Sequence, residues 1–274
     1  MSTVYQNIGA IRNRGIEASI NASVINNNNL TWNIYANMTW NKNKIIKLST
    51  DEPIEYTYQI IEEGRPYRQF YMKEYAGVDR ENGKPLWYLN EEGNETTSDY
   101  NAAAKRYVGD ADPKVLGGFG TNLSWKGFDF SIDFAYQIGG KVYDGDYSSA
   151  MNSPTASSKG HVIHADILNA WTPENTTSNI PRFQYGDSYT AATSDRFLTS
   201  GSYLSLQNIN FGYTLPTRVC RPLGIQKLRL YLAADNVALW TKRQGLDPRQ
   251  TISGEGTASY YAPIRTVSGG ITLT

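Results

Sequence analysis

Long apolar runs are absent from this sequence of 274 residues. A spanning helix needs about eighteen or more consecutive apolar residues, so no transmembrane helix is expected. Cysteine is nearly absent too. Cys220 alone excludes an internal disulfide framework, and it stands between Arg and Pro residues with no histidine beside it, which makes it incidental. Neither sign of charge is in excess: 26 Lys and Arg balance 26 Asp and Glu, and the pI is 6.7. That balance gives nucleic acid nothing to bind, and no block of like charge forms a tail or a basic membrane patch. Met1 to Tyr5 lacks the basic start and apolar core of an export leader.

What the sequence does contain is alternation. Ile16, Ala18, Ile20, Ala22 and Val24 alternate with Glu17, Ser19, Asn21 and Ser23, giving a period of two with one apolar and one wet face. After the turn-forming run Asn26 to Asn29 the pattern resumes through Leu30, Trp32, Ile34, Ala36, Met38 and Trp40. These strands have the length of a tilted strand crossing a bilayer, roughly nine to eleven residues, where a sandwich strand has about five or six. The wet face is Asn, Ser and Thr, which suits a water-filled lumen, and a Trp near each end of the second strand suits an interfacial girdle. The negative mean hydropathy of −0.49 is compatible with this, because a barrel strand is only half apolar.

The same reading places strands at Gly15 to Ile25, Leu30 to Asn41, Tyr67 to Val78, Pro85 to Asn90, Pro113 to Trp125, Phe128 to Ile138, Ser202 to Tyr213, Lys227 to Trp240 and Tyr260 to Thr274. Short and long connections alternate between them, as in an up-and-down barrel with short periplasmic turns and long outer loops. The expected fold is therefore all-β: an antiparallel up-and-down transmembrane β-barrel segment of about nine strands. An odd count cannot close by itself as bacterial barrels do. With no leader visible, residues 1–274 are expected to be the carboxy-terminal part of a larger barrel, without its plug domain and first strands.

Particular strings carry a family resemblance. NIGAIRNRGIEASI, LTWNIYANMTWNKNKI, FYMKEYAGVDRENGKPLWY, RYVGDADPKVLGGFGTNLSWKGFDFSIDFAYQIGGKVYD, DRFLTSGSYLSLQNINFGYTLP and GIQKLRLYLAADNVALWT resemble, in order, the carboxy-terminal half of SusC/RagA-type TonB-dependent outer-membrane transporters. The resemblance implies a twenty-two-stranded barrel with an amino-terminal plug and a TonB box, neither of which is found in this sequence. It further implies a SusD-like lipoprotein lid, residence in the cell outer membrane, and import of oligosaccharides or peptides. Outer-membrane barrels usually finish on an aromatic residue, and this sequence departs from that at Thr274.

No catalytic constellation stands out, and neither a cofactor nor a metal is expected. His161 and His164 lie in a polar loop with only Asp166 in support. Asp110-Ala111-Asp112 and Asp144-Gly145-Asp146 read as turns, because neither continues into the spaced ligands of a calcium loop. Gly117-Gly118-Phe119-Gly120 leads into a strand, so it offers close packing and no phosphate cradle. The candidate ligand-binding residues are loop aromatics: Trp171, Tyr185 and Tyr189 in the longest loop, with Trp87 and Tyr88. They could stack on sugar rings or pack against a lid. The competing reading makes Trp87 and Trp240 girdle residues at the lipid interface and lets the long loop pack on itself. The alternative function is a secreted soluble all-β carbohydrate-binding or adhesin module, in which Ile16–Val24 and Phe128–Ile138 would bury their apolar faces against each other. A glycoside hydrolase fares worst, for want of a carboxylate pair.

Overall fold

A computed structural model describes residues 9–155, 162–256 and 261–274. Among these, seven strands form one antiparallel sheet: β1 Ala10–Asn26, β2 Leu30–Lys47, β3 Val115–Trp125, β4 Phe128–Ile138, β5 Tyr203–Thr214, β6 Leu228–Thr241 and β7 Thr266–Leu273, each paired with its predecessor. The last strand expected from the sequence, Tyr260 to Thr274, is shorter than expected: Tyr260 lies outside the described residues, 261–265 are not strand, and the strand runs Thr266–Leu273.

The register carries the alternation across the whole sheet. Ile20 pairs with Ala36, Ala36 with Phe119, and Phe119 with Phe134; Phe130 pairs with Phe211, and Phe211 with Leu232. Partners in an antiparallel ladder point to the same side, so one face is apolar from edge to edge. Among the described residues nothing covers it: Ile20 is 60% exposed, Phe119 40% and Leu232 63%. The segments Ile16–Val24 and Phe128–Ile138 lie in one sheet and do not meet across a sandwich, which removes the physical basis of the soluble-module alternative.

Aromatic residues fringe this face at both ends, with Trp40, Tyr136 and Trp240 near the long excursions and Trp32, Trp125, Phe128 and Tyr213 near the short turns. From Leu30 to Trp40 the strand rises about 33 Å, which at a tilt of about 40° spans about 25 Å, the height of a barrel's apolar band. Thr121 is a polar exception on this face. Its hydroxyl donates to the Asn33 carbonyl (2.8 Å) and accepts from Trp32 Nε1 (2.8 Å), so it enters the apolar band fully hydrogen-bonded.

The other face carries Ser19, Asn21, Asn33, Asn37, Asn122, Ser131 and Asn210. Here Arg229 of β6 reaches across β5 to Asp129 of β4 (Nε to Oδ1 3.0 Å). It crosses at Gly212, where a Cβ would collide with the guanidinium and the carboxylate. The small-residue reading of the Gly117–Gly120 run holds for the same reason: a Cβ at Gly117 would strike the Asn37 carbonyl, and one at Gly120 the Tyr35 hydroxyl.

The connections sort by end. β1–β2 and β3–β4 join by short turns, the latter through Lys126 and Gly127, both at positive φ as a tight hairpin requires. β5–β6 join through residues 215–227, where Cys220 is buried. The described residues of the other three connections, 48–114, 139–155 with 162–202, and 242–256 with 261–265, emerge together at the opposite end.

Two of the nine expected strands leave the wall. Gln69–Lys73 joins a four-stranded sheet with 54–55, 59–61 and 105–110, while Tyr75–Val78 and Pro85–Tyr88 form a three-stranded sheet with 96–97. Their apolar side chains bury in a dry core instead of facing outward. Phe70, Met72, Val108 and Ala111 pack with Tyr143, Met151 and Phe197 of the second excursion. The second excursion, which carries the longest loop, thus contributes Tyr143, Met151 and Phe197 to a packed cap. A third small sheet ties Lys141–Asp144 to Leu198–Ser200 and, in parallel, to Glu255–Gly256 of the third excursion.

Candidate functional site

Where the cap meets the excursion end of the wall's wet face, the two border an open pocket of about 470 Å³. From the wall come Thr39, Asn41, Gln137 and Tyr203, and from the cap Arg68, Asp112 and Arg249. Amide, hydroxyl and phenol groups are offered from one side and a cation–anion set from the other, an arrangement that recognises a polar, hydrogen-bonding solute.

Arg249 fixes the third excursion to the wall. It forks onto Asp247 (2.8 and 2.6 Å) and donates from Nη1 to Ser205 Oγ (2.8 Å) and Asn236 Oδ1 (3.1 Å). Asn236 sits at a positive φ of 51° where the β5–β6 register shifts, and its Nδ2 donates to the Pro263 carbonyl (2.6 Å). The bulge thus turns an amide out of the ladder and onto the excursion. The hydrogen bond to Asp247 raises the Arg249 pKa, holding the charge in place. Arg68 pairs with Asp112 at 3.5 Å.

The sequence-predicted aromatics divide. Trp87 is 1% exposed and lies in the cap, so it is not a girdle residue; its short strand turns the indole into the protein. Trp240 is exposed on the apolar face, as a girdle residue is. Trp87 meets Tyr100 edge-on (5.1 Å between centroids) and Tyr189 at 6.5 Å, while Tyr100 and Tyr189 stack at 5.2 Å. Tyr189 stays 42% exposed, at a positive φ of 64°, and its hydroxyl accepts from Asn101 Nδ2 (3.1 Å). Tyr88 lies under the Arg106 guanidinium (4.9 Å), which pairs with Glu74 (2.6 Å). Trp171 packs over Gly83 and donates from Nε1 to the Arg80 carbonyl (3.2 Å). Tyr185 projects from the surface, 65% exposed. The structure therefore joins Trp87 and Tyr189, sets Trp171 against the 79–83 turn, and leaves Tyr185 apart.

Tyr100 completes this cluster without any sequence signal, because its partners come from distant segments. Lys73 caps its ring at 3.9 Å and donates to its backbone carbonyl. Burial lowers the Lys73 pKa.

The metal candidates resolve into structure. His161 lies outside the described residues. His164 Nδ1 accepts from Asp166 N–H (3.1 Å) and its ring meets Tyr147 edge-on at 4.8 Å. Asp144 caps the helix Gly145–Ala150 and pairs with Arg243 (3.0 Å). Asp110 accepts from Asp112 N–H (3.1 Å), a local turn. Among the described residues no three His, Cys, Asp or Glu side chains are grouped to hold a metal.

Burial raises the pKa of Asp110, Asp112 and Asp195; the Tyr75 backbone N–H at 2.7 Å offsets part of the effect at Asp195, and Arg68 part of it at Asp112. Each folded-state pKa lies above the unfolded value near about 4, so the folded cap holds these protons more tightly than the unfolded chain. Their cost is present at neutral pH and is relieved as pH falls through the raised values. Acidification toward the ordinary carboxylate range is expected to raise the amide protection factors of 105–112 and 195–200, with exchange normalised to its intrinsic rate at each pH. The Asp110→Asn, Asp112→Asn, Asp195→Asn variant flattens that response. Lower protection factors in acid would contradict the assignment.

No family model matches the sequence. It is 32% identical over 270 residues to TonB-dependent receptor P3 of Formosa agariphila, covering 90% of this chain and 26% of that protein. It is 29% identical over 264 residues to TonB-dependent receptor SusC of Bacteroides thetaiotaomicron, covering 89% and 24%. The structure superposes on the RagAB peptide transporter with a TM-score of 0.84 at 32% identity, over 98% of this chain and 30% of that one. The chain thus spans about a quarter to 30% of the length of the proteins it matches. With its wall of long strands, outward apolar face and paired aromatic fringes, it belongs to the SusC-like TonB-dependent receptors, aligned to one stretch of their β-barrel.

Proposed function

We propose that this chain supplies barrel wall, lumen lining and outer loops to a TonB-driven importer of the bacterial outer membrane, as its carboxy-terminal portion. The observation that carries the reading is the uncovered apolar face of the seven-stranded sheet, bounded above and below by aromatic residues. Among the described residues β1 and β7 are its two unpaired edges. Hydrocarbon tolerates no open ladder, so both edges pair with strands beyond residues 10–273 in the closed barrel. The polar pocket and the cap favour an oligosaccharide or a peptide as cargo, since both present dense donors and acceptors. Energy enters through TonB acting on a plug region outside this chain, and a SusD-like lipoprotein closes over the cap.

Within the cap, Tyr189 and Tyr185 present their exposed rings to cargo or lid, while Trp87, Tyr88 and Trp171 hold the surface that carries them. The Tyr185→Ala, Tyr189→Ala variant of the intact transporter is expected to bind cargo about tenfold more weakly, about 1.4 kcal/mol, with barrel assembly unchanged. Unchanged cargo and lid affinity would remove these residues from the site.

A further inference from the structure

Directly beyond the aromatic fringe, the outward face of β1 and β2 carries four cations. Arg14 pairs with Lys42 and Arg12 with Lys44, on the same side as the Ile16–Trp40 pair. Opposite Cβ atoms in such a ladder are about 5 Å apart and successive pairs about 7 Å apart, so the four charges occupy one small patch. Like charges set directly opposite one another repel. Here two such pairs follow in succession, and among the described residues none of the four forms an ion pair. Carboxylates of the adjoining excursion are engaged elsewhere: Glu62 with Arg65 (3.5 Å) and the Tyr107 hydroxyl (2.6 Å), Glu63 with Leu48 N–H (2.9 Å), and Asp112 with Arg68.

We propose that Arg12, Arg14, Lys42 and Lys44 form a seat for the phosphate of an outer-leaflet lipid headgroup, whose acyl chains lie along Ile16, Ile20 and Trp40. Continuity selects a lipid over a free anion. The cations stand immediately above an apolar strip that faces hydrocarbon, so one amphipathic molecule satisfies both surfaces. Arginine supplies paired N–H donors to phosphate oxygens and lysine a mobile point charge. The side of the membrane follows from the long excursions at this end, so the inference rests on the outer-membrane reading proposed above.

The test is the amount of phosphorylated lipid that co-purifies, per mole, with the transporter carrying this chain in mild detergent. The Arg12→Gln, Arg14→Gln, Lys42→Gln, Lys44→Gln variant is expected to lose at least about tenfold of it. A control variant, Arg80→Gln, Lys84→Gln, Arg218→Gln, Arg221→Gln, removes the same charge elsewhere and keeps the lipid. If the quadruple variant fails to insert, Arg14→Gln with Lys42→Gln is the second measurement, with an intermediate loss expected. Retention of the lipid by the quadruple variant, equal loss from the control, or equal binding of the same lipid after its phosphate is removed each overturns the proposal. Membrane fractionation reports separately on location. A transporter found outside the outer membrane overturns the location reading, while binding to reconstituted vesicles with and without the phosphorylated lipid still reports on the four-cation seat.

Discussion

Phe119→Arg is expected to cost the folded barrel about 2–4 kcal/mol, whereas Asn122→Arg, three residues along the same strand, stays within about 0.5 kcal/mol. Phe119 lies mid-strand in β3, paired with Ala36 and Phe134 on the uncovered face, at the level of the bilayer centre. A guanidinium there is too far from either interface to reach water without deforming the bilayer. Asn122 pairs with Asn33 and Ser131 on the wet face, where an added charge stays hydrated. Urea titration of the transporter in lipid vesicles, following the mobility shift between folded and unfolded barrel, measures both. Equal costs at the two positions would mean that both faces see the same surroundings.

Trp87→Ala is expected to destabilise the cap by about 3–5 kcal/mol and leave the wall intact. The indole is fully buried and is held edge-on by Tyr100, which in turn stacks on Tyr189. Removing it opens a cavity beneath the exposed tyrosine and frees the short strands Tyr75–Val78 and Pro85–Tyr88. Limited proteolysis and amide exchange should show residues 75–104 opening while β1 to β7 stay protected. If cargo binding falls with exchange unchanged, Trp87 touches cargo directly and the supporting role assigned to it is wrong.

Trp87 and Trp40 also mark how far the sequence could be read. Trp40 sits in the long alternating run of β2 and Trp87 in the short apolar strand Pro85–Tyr88, and such patterns say only that a side of the strand avoids water. They do not say whether that side meets lipid or a dry protein core. Length separates the two cases. β1, β2, β3 and β4 keep their alternation over eleven residues or more, and their faces were legible. Gln69–Lys73 lasts five residues before the chain turns at Glu74 into a different sheet, and its Phe70 and Met72 find partners in Tyr143, Met151 and Phe197, far along the sequence. Such non-local partners leave no local trace, and the same holds for Tyr100 against Trp87 and Tyr189 and for Arg249 against Ser205 and Asn236. The wall was therefore readable strand by strand, while the cap and the pocket it borders needed three dimensions.

The central claim is that the apolar side of the wall faces hydrocarbon around a wet interior. Spin labels placed singly at residues 128–138 of the reconstituted transporter test it most directly. Collision with lipid-soluble oxygen should peak at 130, 132, 134 and 136, and collision with a water-soluble nickel chelate at 129, 131, 133 and 135, out of phase with period two. Labels at the even positions that meet neither reagent would place those side chains in a dry protein core, contradicting the barrel wall.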